Sequence, residues 1–222
     1  MLRLVAVRVY KYLPTKWAIS NIEKRHVKAS DPDALNDPFE FLAVDMTDDN
    51  YRKQIEERVQ FVLHEKVLCC FSQTATDPLL WAHYGDCHSG ICLGLEISEM
   101  IDDRLTPVNY VNRRYQPTEI ANNQDIAKKL LFTKFSAWGY EREVRALLPK
   151  EVSEQPRELT FITFDEDFAL KEVILGHKCR TCTSGINSKL ADYPGKVKLL
   201  RAHPSLSDFT MSTQTAAESI PA

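Results

Sequence analysis

The sequence predicts an α+β fold. Two observations carry this. Short runs rich in Val, Ile, Leu and aromatic residues recur along the chain as strand candidates, and helical runs fall between them without the regular strand–helix–strand alternation of a parallel sheet. The composition agrees: of 222 residues, 44% are hydrophobic and 27% charged, ordinary values for a globular protein able to bury a core. The expected arrangement is a single domain over residues 1–202, with mixed or antiparallel strands flanked by helices. A polar, aperiodic C-terminal tail, 203–222, is expected to be disordered.

Each element has its own signal. "LVAVRVYKYL" (4–13) reads as the first strand. "TKWAISNIEKRHV" places Ala18, Ile19 and Ile22 at helical spacing, with Thr15 as the expected cap. "KASDPDALNDPFEF" carries two Asp-Pro steps and reads as loop, Asn36 and Asp37 fixing the turn and Glu40 opening the next segment. "DDNYRKQIEERVQFVLHEK" is an amphipathic helix with Tyr51, Ile55, Val59 and Val62 or Leu63 on its apolar stripe. "VLCCFS" is a buried strand. "DPLLWAHYG" is a short helix, capped by Asp77, started by Pro78 and closed by Gly85. "ICLGLEI" alternates, with Ile91, Leu93, Leu95 and Ile97 on one face. "LTPVNYV" is one strand and "NNQDIAKKLLFTKFSAW" one helix, capped by Asn123. "YEREVRALL", "LTFITF" and "KEVILG" are strands. "TSGINSKLADYPG" is a helix and "KVKLLRAH" the last strand.

The net charge of −3 argues against general capture of nucleic acid. No apolar run has the length of a membrane span. A charged residue stands in the middle of the N-terminal apolar run "MLRLVAVRVYKYLP", so that run reads as strand rather than export signal. The expectation is a cytoplasmic protein with reduced thiols.

Two constellations carry candidate chemistry. In "PLLWAHYGDCHSGICLGLE", Trp81 and Tyr84 share one face of the short helix and His83 points to its flank. Cys92, Gly94 and Glu96 lie opposite the leucines. Gly94 in mid-strand signals close approach of a ligand or of a packed ring. The spacing of His83, Cys87, His88 and Cys92 does not match a paired zinc knuckle, and "CRTC" (Cys179, Cys182) lacks a partner pair, so no metal site is expected. In "TKFSAWGYEREVRALL", a strand from Tyr140 sets Glu141, Glu143 and Arg145 on one face, about 6.5–7 Å apart. Such a set is either a solvated salt-bridged edge or a pair of carboxylates held in different states. Trp138 and Tyr140 stand beside it. In the first strand Tyr10 and Tyr12 share a face and Lys11 takes the other. No Gly-rich phosphate loop, nucleophile elbow or His-x-x-x-His zinc motif is present.

Taken in order, "VYKY", "LNDPFEF", "CFS", "LLWAHYGDCHSGICLGLE", "WGYEREVR" and "KEVILG" resemble the domain of unknown function family numbered 2971, from about Tyr10 to Gly176. That family often has an arginine after its Tyr-Lys-Tyr, where this chain has Leu13. The order of parts is also similar, more distantly, to ADP-ribosyltransferases. This second likeness implies an ADP-ribosyltransferase-like fold and an NAD-dependent transferase or NAD glycohydrolase. NAD would be the substrate, with no tightly bound cofactor. Glu143 would be the carboxylate stabilising an oxocarbenium-like cation, with Glu141 beside it. Ser72 or Tyr84 would match the residue after the central strand. Tyr84 or Trp81 would stack nicotinamide. Lys11, Lys134 or Arg145 would hold the pyrophosphate, with Tyr10, Tyr12, His83 and Trp138 completing the site. The alternatives are a non-catalytic module binding a ligand or a protein, and a structural domain whose Trp, Tyr and Glu-Arg groups form a buried network.

Overall fold

The computed structural model describes residues 7–30, 35–98, 105–120, 125–149 and 161–216. The fold class is mixed α+β, as the sequence predicts. The chain divides into two compact units, one of Met1–Lys28, Phe71–Asp103 and Phe161–Ala222, the other of Ala29–Cys70 and Arg104–Thr160.

The first unit is built on a sheet. β1 (Val7–Leu13) pairs antiparallel with β4 (Ile91–Ile97), and β4 pairs antiparallel with β10 (Phe168–Leu175). β10 continues parallel to β11 (Lys198–Pro204) through the crossover helix α6 (Thr183–Leu190). β12 (Met211–Thr215) returns antiparallel to β11. β4 is central, so both of its faces are buried except at Glu96. The expected alternation of apolar and polar faces therefore becomes an almost continuous buried run. Gly94 sits between Tyr10 and Glu172 in register, and an added Cβ would lie 2.9 Å from the Glu172 Cβ and 3.3 Å from the Tyr10 ring. Close packing of neighbouring side chains accounts for this glycine.

α1 (Thr15–Lys24) packs on β1, β4 and α6. Its cap is Pro14, whose carbonyl accepts from Trp17 and Ala18, and no side chain caps it. Thr15, the expected cap, instead donates its hydroxyl to the Ser89 carbonyl at 2.8 Å. β2 (His26–Lys28) pairs with β9 (Phe161–Thr163). The expected disordered tail is corrected in part. β12 adds a strand to β11, helped by the strand propensity of Thr213 and Thr215, which polarity alone conceals.

The second unit packs α2 (Asp49–Glu65) against α5 (Ile126–Leu131), with the short α4 (Pro117–Ile120) beside them. Ile55, Val59, Ile120, Leu130 and Leu131 form the centre of this core. Asp48 caps α2 by accepting from the Tyr51 N–H at 2.7 Å. Strands run in the order β3 (Lys66–Ser72, whose first five residues belong here), β8 (Glu143–Pro149), β5 (Leu105–Pro107). β6 (Asn109–Val111) pairs parallel with β7 (Thr133–Phe135).

Two expectations fail here for local reasons. "LTPVNYV" makes two strands because the chain changes partner at Val108, whose N–H reaches the Glu143 carbonyl while Asn109 reaches the Phe132 carbonyl. The helix expected over 122–138 stops at Leu131. Thr133 returns its hydroxyl to the Lys129 carbonyl at 2.8 Å, closing the helix end, and Thr133–Phe135 then pairs as β7. The cap is Asp125, and Asn123 lies outside the described residues, as do Leu4–Ala6 and Leu159–Thr160 of the expected strands. A 3₁₀ helix (Ser136–Glu141) precedes β8, so Glu141 is not on the strand.

Candidate functional site

The expected site residues fall into two groups, one in each unit. In the first unit the aromatic side chains are packed into the interior. Trp81 is fully buried, donates its indole N–H to the Ala75 carbonyl at 2.8 Å, and meets the Tyr12 ring edge-on at 5.0 Å. Tyr12 donates to the Thr74 carbonyl at 3.0 Å, and burial raises its phenol well above the ordinary range. Ser72 is buried and accepts from the Thr74 N–H at 3.2 Å. Tyr10 is half-buried beside Glu172, with its phenol raised by burial and by that carboxylate. The Lys11 ammonium lies 5.7 Å from the Phe71 ring centre. His83 is exposed, and Tyr84, like Tyr10 and Lys11, is partly so.

The segment after α3 (Pro78–His83) is a tight corner. Asp86, Cys87 and His88 all have left-handed backbones, with φ of 50°, 49° and 71°. Hydrogen bonds from the His88 N–H to the Trp81 carbonyl and from Gly90 to Gly85 hold it. Gly176 touches it so closely that a Cβ there would lie 2.2 Å from the His88 carbonyl oxygen. "DCHSG" is thus a rigid corner, and Cys92, fully buried, has its thiol raised by burial.

In the second unit five expected residues come together. Lys134, on β7, points inward and places its ammonium 2.7 Å from Glu141 and 3.3 Å from Glu143. The Trp138 ring centre lies 4.9 Å from that ammonium. Glu143 and Arg145, two apart on β8, share a face as expected, with Arg145 Nε 2.8 Å from Glu143 Oε1. The shared face is buried, so the solvated-edge alternative does not hold. Arg145 is fully buried. Its remaining nitrogens reach Glu143 Oε2 at 3.1 Å, the Leu131 carbonyl at 2.6 Å and Glu40 at 2.6 Å. It has no nitrogen left for a phosphate. The left-handed Arg142 (φ 43°) turns the chain between the 3₁₀ helix and β8, which lets Glu141 and Glu143 both reach Lys134 from different elements.

Glu40 is the residue that sequence reading placed at the start of the segment after the turn. The turn does form, with Asp37 Oδ1 accepting from the Phe39 N–H at 2.9 Å, but its product is to aim Glu40 into the cluster. Nothing local signals this, because Glu40 is about a hundred residues from its partners. Three buried carboxylates, Glu40, Glu141 and Glu143, now face two buried cations, Lys134 and Arg145. The acids exceed the bases by one. The structure divides the load unequally. Burial opposes the charge of Glu143, yet Arg145 and Lys134 outweigh it and hold its carboxyl below the ordinary range. For Glu40 burial wins over the same two cations and its carboxyl is raised. Its oxygens lie near Arg145 without hydrogen-bond geometry. Tyr110 gives its hydroxyl to the Glu143 backbone as acceptor, at 2.9 Å, and burial pushes its phenol up to about 12.

Lys134 also forms the inner wall of a cleft of about 220 Å³. Phe39, Leu42, Val111 and Phe135 supply apolar walls, and Asn112, Arg113 and Arg114 supply polar ones. Arg113 is engaged by both oxygens of Glu119, at 2.9 and 2.7 Å. Arg114 is exposed, rests 5.4 Å from the Phe39 ring centre, and forms no ion pair among the described residues. A larger cavity, about 450 Å³, lies in the first unit, where Arg25 bonds the Asp192 carbonyl and Glu96 pairs with Arg8. None of the expected site residues lines it.

No family model, curated protein or solved structure matches the chain.

Proposed function

We propose that the chain is a binding module for a small anion-bearing molecule, taken up in the second unit's cleft. The observation that carries this reading is the pairing of an exposed arginine, Arg114, with apolar walls and a lysine floor in one concavity. A guanidinium presents a planar donor fork suited to phosphate or carboxylate. Lys134 is held in place by its carboxylates, so its role is to set the charge and shape of the floor. The cleft is smaller than the roughly 300–1,000 Å³ typical of pockets for drug-sized ligands. A compact phosphate or carboxylate, or one end of a nucleotide, is the expected class.

A second reading keeps the distant likeness to ADP-ribosyltransferases and the resemblance to family 2971. It is favoured by one observation, the convergence of Glu141 and Glu143 on Lys134 from separate elements. In it NAD is the substrate and Glu143 faces the ribose. Both oxygens of Glu143 are already engaged, so this reading requires the Lys134 contact to open on binding.

Thermal unfolding with inorganic phosphate, ADP-ribose or NAD tests both. A ligand binding only the folded chain raises the midpoint with concentration. The binding reading expects such a rise, lost in Arg114→Ala, with no nicotinamide released from NAD. Nicotinamide release by wild type, abolished in Glu143→Gln, would instead establish the second reading. No rise with any of the three at millimolar concentration would remove both.

A further inference from the structure

We propose that β12 is a docking edge for a second copy of this chain, pairing antiparallel with its own counterpart. Among the described residues no strand lies on the outer side of β12. The ladder with β11 fixes which backbone groups face outward. The Ser205 N–H donates to the Thr210 carbonyl and the Ala216 N–H to the Leu199 carbonyl, so these opposed residues are hydrogen-bonded pairs. Pairs alternate along an antiparallel ladder. Ser212 and Gln214 therefore bond inward to β11, while Met211, Thr213 and Thr215 turn their N–H and C=O groups outward. One outward donor is already used, since Met211 gives its N–H to the Thr76 carbonyl at 2.7 Å. That bond confirms the assignment and closes the edge at that end. The open stretch is Thr213–Thr215.

This geometry selects one register. Centring the pair on Thr213 would set Thr215 opposite the copy's Met211, whose N–H is taken. Centring it on Gln214 sets Thr213 opposite Thr215 of the copy, and the reverse. Each N–H and C=O of these two threonines then finds a partner across a two-fold axis, giving four new hydrogen bonds. The side chains permit it. Soluble proteins usually guard such edges with charge, proline or a bulge. "MSTQT" has none of these, and the self-pairing opposes Gln214 to Gln214 with no like charges facing. Ser212 to Thr215 are all exposed. The adjacent hairpin tip, fixed by Asp208 accepting from Thr210 at 3.1 and 2.6 Å, holds Leu206 and Phe209 fully in solvent.

Sedimentation velocity from micromolar to several hundred micromolar protein reads the outcome. A concentration-dependent dimer is expected in wild type. Thr213→Pro removes only an outward donor, a change edge strands tolerate, and is expected to abolish the dimer with an unchanged circular dichroism spectrum. Gln214→Lys, which puts two ammonium groups face to face in the selected register alone, is the second variant if proline disturbs the hairpin. It should shift the dissociation constant upward at least tenfold at low salt. A dimer that survives both variants would place the interface elsewhere and overturn the proposal. A monomer at every concentration would also overturn it and leave the edge to an extended segment of another protein.

Discussion

At the residue scale the cluster around Lys134 makes the sharpest prediction. Removing one partner of a simple buried ion pair costs roughly 3–5 kcal/mol, because a charge is left uncompensated. Glu143→Gln is expected to cost less. Glu40 lies beside both cations, 2.6 Å from Arg145 and 3.8 Å from Lys134, and leaves them a second carboxylate. Glu40→Gln alone leaves Glu141 and Glu143 facing the two cations and is expected to cost less than Glu143→Gln. The double variant loses both carboxylates and should cost more than the sum of the single changes. Urea unfolding of the four proteins measures this, and additive losses would contradict the shared-charge account. The pairing of Glu143 with Arg145 was legible from their spacing, because a two-residue period puts them on one face of any strand. Glu40 was not legible, since its partners are distant in sequence. Nor was the burial of Lys134, because a lysine reads as surface unless its carboxylates are known.

At the element scale, most strands and the long helix α2 could be read from apolar periodicity and caps. Where the reading failed, a partner outside the element decided. The helix expected through Trp138 yields to β7 because β6 offers a parallel ladder, and β12 forms because β11 offers an edge. The corner after α3 shows the same dependence. Three consecutive left-handed residues are unfavourable alone, each costing about 1–2 kcal/mol. They persist because Gly90 and Gly176 let backbone from β1 and β10 close over them. Gly176→Ala would drive a Cβ into the His88 carbonyl. It is expected to destabilise by at least the roughly 1–3 kcal/mol of an overpacked core site. A melting temperature equal to wild type would show that the corner yields easily.

At the scale of the whole molecule, the two opposed glutamates shape the pH dependence. Glu143 is depressed in the folded state, so its stabilisation is present above the ordinary carboxylate range and is lost as pH falls through its folded value. Glu40 is raised, so the folded state holds its proton more tightly. That contribution is present in acid and is lost as pH rises from the ordinary range through the raised value. Unfolding midpoints for wild type and Glu40→Gln between pH 4 and 8 should diverge over that window, the variant gaining relative to wild type as pH rises. Parallel curves would contradict a raised carboxyl at Glu40.

The central claim is that the second unit's cleft takes an anion through Arg114. Nuclear magnetic resonance during titration with ADP-ribose tests it most directly, following the Arg114 side-chain Nε–H and the backbone amides of Phe39, Val111–Arg114 and Thr133–Phe135. The account predicts saturable shifts concentrated on these signals and absent in Arg114→Ala. Shifts confined to the first unit, or none at millimolar ligand, would contradict it.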